Sequence, residues 1–145
     1  MNNQKILEAS KILFNHKLNK TGLNSLNNLE PENLDLAYKI QNELKVNYLT
    51  LTNNICIGKK IGCTSIAAQK QMNVNEPFYG NLFSRYSSKN INKLNSKYFF
   101  QPFVEPEISF RVREDIDVSK APYSLNDLNS LLDGIISSIE IVDFR

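Results

Sequence analysis

The stretch from Tyr98 to Arg113, YFFQPFVEPEISFRVR, decides how the rest of the chain is read. It is rich in aromatic and β-branched residues, and Ile108, Phe110 and Val112 alternate with Ser109, Arg111 and Arg113, the period of a strand with one buried face. Glu105 and Glu107 stand two apart in that strand, so both side chains leave the same face. A second strand is predicted over the apolar run from Ile135 to Phe144, where Glu140 interrupts Ile139-Glu140-Ile141-Val142. One face of it must therefore accept a carboxylate, which requires a cation or a strong hydrogen-bond partner. Three carboxylates with no histidine or thiolate beside them describe a hard-cation site, suited to Mg²⁺ or Mn²⁺ with positions left open for water or substrate. The spacing equally allows Glu105 and Glu107 to face solvent on an edge strand while Glu140 pairs with Arg111 or Arg145.

Working outward, Ser124 with Asp127 makes a capping box ahead of Leu128, Leu131 and Leu132, and Gly134 is expected to close that helix. At the other end, Ile6, Ala9, Ile12 and Leu13 recur at helical spacing from Gln4 to about His16, predicting an amphipathic helix that ends before Thr21-Gly22. His16, the only histidine, falls at its C-terminal end as a surface residue near the helix dipole. Pro31 suits the first turn of a second helix, with Leu34, Ala37, Tyr38, Gln41 and Leu44 on one stripe. Ile55-Cys56-Ile57 reads as a short strand running into the glycine-flanked segment Gly58-Lys59-Lys60-Ile61-Gly62. Thr64 or Ser65 then caps a short helix through Met72, Glu76-Pro77 ends it, and Gly80 marks a turn.

A chain of 145 residues has the length of one domain, and 41% hydrophobic with 22% charged residues is a globular composition. The net charge of +2 is scattered among acids and asparagines, which argues against a nucleic-acid surface. Cys56 and Cys63 match no zinc spacing, the first residues lack the apolar stretch of a signal peptide, and no run is long enough for a membrane helix. The expectation is a cytoplasmic protein with free thiols, binding neither nucleic acid nor membrane.

Five collinear motifs go further: AYKIQ at 37–41, GKKIGCTS at 58–65, NEPFYGNLF at 75–83, VEPEISF at 104–110 and IEIVDFR at 139–145. In order and spacing they resemble the 2-keto-4-pentenoate hydratase and 4-oxalocrotonate decarboxylase branch of the fumarylacetoacetate hydrolase family. The resemblance implies an α+β fold. Residues 1–50 would form an N-terminal helical segment, and residues 51–145 the first part of the catalytic β-rich domain, an incomplete portion of a fumarylacetoacetate hydrolase-like distorted β-barrel. It implies Glu105, Glu107 and Glu140 as ligands of Mg²⁺ or Mn²⁺, and Lys60 as a catalytic residue that moves protons, with Lys59 or the metal as the neighbouring cation that tunes it. Thr64 and Ser65 would donate hydrogen bonds to the substrate, a role compatible with capping.

The implied activity is that of a metal-dependent hydratase, a lyase acting on a short unsaturated 2-keto acid such as 2-hydroxypenta-2,4-dienoate in aromatic-compound catabolism. The enzyme would act as a homo-oligomer or in association with a complementary chain. Two alternatives use the same segments: decarboxylation of an oxalocrotonate-type diacid, and a catalytically degenerate or truncated fragment. The chain departs from the family in two places. Many hydratases of this branch carry aspartate where Phe78 stands, and the family's chains run on beyond the IEIVDFR segment. A carbon–carbon hydrolase of the wider family would need a histidine-activated water, whereas His16 lies outside all five motifs.

Overall fold

A computed structural model describes residues 1–91 and 93–144. They divide into two compact units, residues 1–98 and 99–144.

The first unit opens with two helices, α1 (Asn3–Asn19) and α2 (Leu34–Leu49). Each starts where an asparagine side chain accepts an otherwise unpaired backbone N–H: Asn2 from Lys5 and Asn33 from Leu36, both at 3.0 Å. Pro31 thus lies ahead of the second helix, not in its first turn, because the capping asparagine fixes the start two residues later. The first helix runs one turn past His16 and ends at Lys20 in the left-handed region (φ 55°), while the His16 ring lies 2.9 Å from the Thr21 hydroxyl.

Ile6 and Ala9 of α1 pack against Leu29 and Ile40 as the buried cluster of this unit. Ser10, also fully buried, donates to the Leu7 carbonyl at 2.8 Å and accepts from the Asn47 amide at 3.3 Å, so this buried hydroxyl is satisfied.

A hairpin of β1 (Cys56–Gly62) and β2 (Phe78–Phe83) flanks α3 (Ile66–Met72). The α2 helix holds it. The Tyr38 hydroxyl accepts from the Tyr79 N–H at 3.2 Å with the two rings stacked at 4.5 Å, and Gln41 donates to the Tyr79 carbonyl at 2.8 Å. Tyr48 of α2 packs on Phe14 and Phe83. Asn54, buried, donates to the Tyr48 carbonyl at 2.8 Å and accepts from the Arg85 N–H at 3.1 Å, joining the end of α2 to the end of β2. Asn54→Leu strands both backbone groups without water, so urea unfolding should show a loss of about 1–3 kcal/mol. A neutral result would mean that these contacts exchange freely for solvent.

The glycine-flanked segment 58–62 continues β1, and Gly80, expected to mark a turn, lies within β2. Lys60 stands opposite Gly80 in the ladder, and a Cβ on Gly80 would lie 3.3 Å from the Lys60 side chain; one on Gly62 would meet the Phe78 ring at 2.9 Å. These glycines make room for cross-strand neighbours. Of the two candidate caps for α3, Ser65 serves, its hydroxyl accepting from Ala68 at 3.2 Å.

The second unit holds β3 (Pro102–Val112), α4 (Leu125–Leu131) and β4 (Leu132–Asp143). The capping box forms as expected: the Ser124 N–H and hydroxyl donate to the Asp127 carboxylate at 2.8 and 2.7 Å, and the Asp127 N–H returns the bond at 3.3 Å. The Ser124 hydroxyl, then its backbone N–H, hold the Asp127 carboxyl below the ordinary aspartate range. A depressed folded pKa adds stability above the unfolded value, about 3.9, that is lost as pH falls through the folded value. Amide shifts of residues 124–131 should therefore report fraying of α4 as the solution is acidified below that point. Asp127→Asn should remove the acid step, and the same step surviving in that variant would exclude the box as its source.

Gly134 does not close α4, which ends at Leu131; it pairs with Arg111 in the ladder, its open side 3.6 Å from the guanidinium. The strands β3 and β4 run antiparallel with Glu105 opposite Glu140 and Pro106 opposite Ile139, and a bulge falls between Arg111 and Val112. The expected burial of Ile108, Phe110 and Val112 is overturned: all three are exposed, because nothing in this unit is layered on their face of the ribbon.

The mixed helix-and-sheet class is observed. Among the described residues the sheets are the pairs β1–β2 and β3–β4, and neither closes into a barrel. Among these residues no helix is long and apolar enough to cross a membrane.

Candidate metal centre

The β3–β4 register builds the acidic cluster. Glu105 lies directly across from Glu140, and Glu107 lies one diagonal step away, across from Ser138. One carboxylate oxygen from each of the three lies within 4.8 Å of the others, with Glu105 and Glu107 exposed and Glu140 half-buried. Oxygens bound to one Mg²⁺ at about 2.0–2.1 Å sit roughly 3–4 Å apart, so small side-chain rotations bring this set onto one ion. Like charges at this separation repel by about 1 kcal/mol per pair even in water, and a divalent cation between them reverses the sign. Three carboxylate oxygens on a solvent-facing surface are a donor set that fits a hard cation.

The next positions along the same face are hydroxyls. Ser109 and Ser138 meet at 2.6 Å, two residues along the strands from Glu107 and Glu140 respectively. This pair was not anticipated, since only the register brings it beside the acids. Beyond it, Arg111 donates to the Asp133 carboxylate at 2.9 Å and to the Asp133 carbonyl at 3.3 Å. The alternative pairing of Glu140 with Arg111 is thus replaced by Asp133, and a pairing with Arg145 lies outside the described residues.

Lys60, Thr64 and Ser65 belong to the first unit. Lys60 is half-buried on β1 with its aliphatic stem along Gly80. Adjacent strand residues point to opposite faces, and Lys59 accordingly turns the other way, bonding the Asn81 side chain and lying 4.8 Å from the Tyr79 ring centroid. Lys59 is therefore not the neighbouring cation of Lys60. Thr64 and Ser65 are exposed between β1 and α3, with the Ser65 hydroxyl engaged in the cap. Phe78 starts β2 and lines an open apolar recess with Leu34, Ala37 and Val74.

No family model matches the chain. The chain is 30% identical over 141 residues to the TodF product hydratase of Pseudomonas putida, covering 97% of itself and 52% of that protein. It is 30% identical over 139 residues to the 2-keto-4-pentenoate hydratase of Paraburkholderia xenovorans, covering 95% and 51% respectively. Among solved structures, the 4-oxalocrotonate decarboxylase of Pseudomonas putida, complexed with magnesium and adipate, superimposes with a TM-score of 0.88 at 26% identity. That match covers 99% of this chain and 54% of the decarboxylase. The chain spans about half the length of the curated relatives it matches. Over about half of their length it is a homologue of proteins named 2-keto-4-pentenoate hydratase, and it shares the fold of the corresponding half of the 4-oxalocrotonate decarboxylase.

Proposed function

We propose that the chain carries the metal- and substrate-binding part of a hydratase that adds water to a short unsaturated 2-keto acid such as 2-hydroxypenta-2,4-dienoate. The observation that carries this reading is the convergence of Glu105, Glu107 and Glu140 on one face of the ribbon. The names of the relatives and the magnesium in the similar decarboxylase structure support it. These three glutamates would hold Mg²⁺ or Mn²⁺. When bound, the cation supplies a Lewis acid for the 2-oxo and carboxylate oxygens of a keto acid and favours the enolate. Lys60 transfers the proton, with its stem fixed along Gly80. Thr64 and Ser65 donate hydrogen bonds to the substrate carboxylate. The partners are the small keto acid and either further copies of this chain or a complementary chain.

Phe78 favours a second reading. An apolar side chain stands where many hydratases of the resembled branch carry an acid for water addition, and decarboxylation of an oxalocrotonate-type diacid needs the same chelate without that acid. Incubation with each substrate class in the presence of Mn²⁺, followed by NMR of the products, distinguishes hydration from loss of carbon dioxide. Turnover of neither would reduce the chain to a non-catalytic relative. Where turnover occurs, Lys60→Met should lower kcat by about 10²–10⁴-fold. An unchanged kcat would remove Lys60 from the mechanism.

A further inference from the structure

The two faces of the β3–β4 ribbon have opposite chemistry. Alternation from Glu105 and Glu140 places Val104, Ile108 and Phe110 of β3 with Ile135 and Ile139 of β4 on the face away from the acids. Their exposures are 66, 70, 55, 74 and 69%. Between them lie Pro106, Ile141 and Ser137, so the face carries no charge between its ends; Asp143, opposite Pro102 at one end, has its carboxylate engaged by the Phe100 and Gln101 N–H groups.

Monomeric proteins rarely leave so continuous an apolar surface open, and a two-stranded ribbon without a covering layer is marginal in water. A flat surface of β-branched and aromatic side chains fits the apolar face of another sheet, packed about 10 Å away. The TodF product hydratase and the solved decarboxylase match 97% and 99% of this chain and contain a further half that it does not match; in the solved decarboxylase that half is the remaining part of one molecule. We infer that the face bearing Ile108 and Ile139 is a docking surface, and that its occupant is a polypeptide equivalent to the half of these relatives that this chain does not match. Docking there leaves the acidic face open, so the ribbon joins a cation site on one side to an assembly surface on the other.

The test co-expresses the 145-residue chain with a separately encoded polypeptide comprising the unmatched half of the Pseudomonas putida 4-oxalocrotonate decarboxylase. Co-purification and mass by light scattering are read in EDTA, so that failure of the metal site cannot imitate failure of docking. A one-to-one complex is expected. Ile108→Glu with Ile139→Glu should lower recovery of the partner at least tenfold while the far-ultraviolet circular dichroism of the chain is kept, and Glu107→Gln on the opposite face should leave recovery unchanged. Hydrogen exchange gives a readout that needs no substitution: ribbon amides should slow in the complex. Absence of a complex, a complex indifferent to the double variant, or a homodimer of this chain that the double variant dissociates would each overturn the assignment.

Discussion

Glu107→Gln is expected to abolish most of the stabilisation that Mg²⁺ or Mn²⁺ gives this protein. A ligand that binds only the folded state stabilises it by about 2.7 kcal/mol when its free concentration is a hundredfold above its dissociation constant. For a chain of 145 residues that corresponds to a rise in Tm of roughly 5–11 °C. The substitution removes one of three converging charges while keeping size and strand preference nearly constant, so the metal-free fold should change little. Thermal unfolding of both proteins with and without millimolar Mn²⁺ reads the difference, and Glu114→Gln, on an exposed acid outside the cluster, is the control. Ca²⁺, with bonds of about 2.3–2.6 Å and a need for more oxygens, should shift the wild type less. Equal shifts in the wild type and Glu107→Gln would remove the three-glutamate site, and no shift in either would do the same.

Ile40→Ala should cost about 2–5 kcal/mol, the largest effect expected from a single core truncation here. Ile40 is one of four residues in the buried cluster of the helical pair, alongside Ile6, Ala9 and Leu29. With so few members, the cluster cannot redistribute the lost contacts. Val46→Ala on the exposed side of the same helix should stay within about 0.5 kcal/mol. Urea unfolding followed by helical circular dichroism compares the two. Similar losses for both would show that helix propensity, and not packing against α1, holds α2.

The acidic cluster was legible because its cause is short-range: two residues of spacing fix a shared face, and an acid within an apolar run must find a partner. The capping box at Ser124 and Asp127 was legible for the same reason, since both halves of the motif lie within four residues. What failed was set by the opposite strand. Gly80 and Gly134 looked like punctuation, yet each lies within a strand, beside the Lys60 stem and the Arg111 guanidinium respectively. No local pattern distinguishes a glycine that turns the chain from one that makes room. The burial of Ile108 and Phe110 was misjudged because alternation fixes which face is apolar but not whether anything lies on it. Pro31 was misplaced because proline tolerates a first turn, whereas the asparagine cap, two residues on, determines one.

Pro106 sits between the two ligand candidates of β3 and opposite Ile139. Having no N–H, it fits the ladder only at a position whose backbone faces away from β4, and so interrupts the row of donors along the outer edge of the strand. A stray strand that tries to extend the sheet there meets a missing hydrogen bond flanked by two negative charges. Prolines and inward-set charges are the devices by which β-proteins resist edge-to-edge polymerisation. The Glu-Pro-Glu sequence thus opposes strand addition along the edge of β3, beside the apolar face of the ribbon.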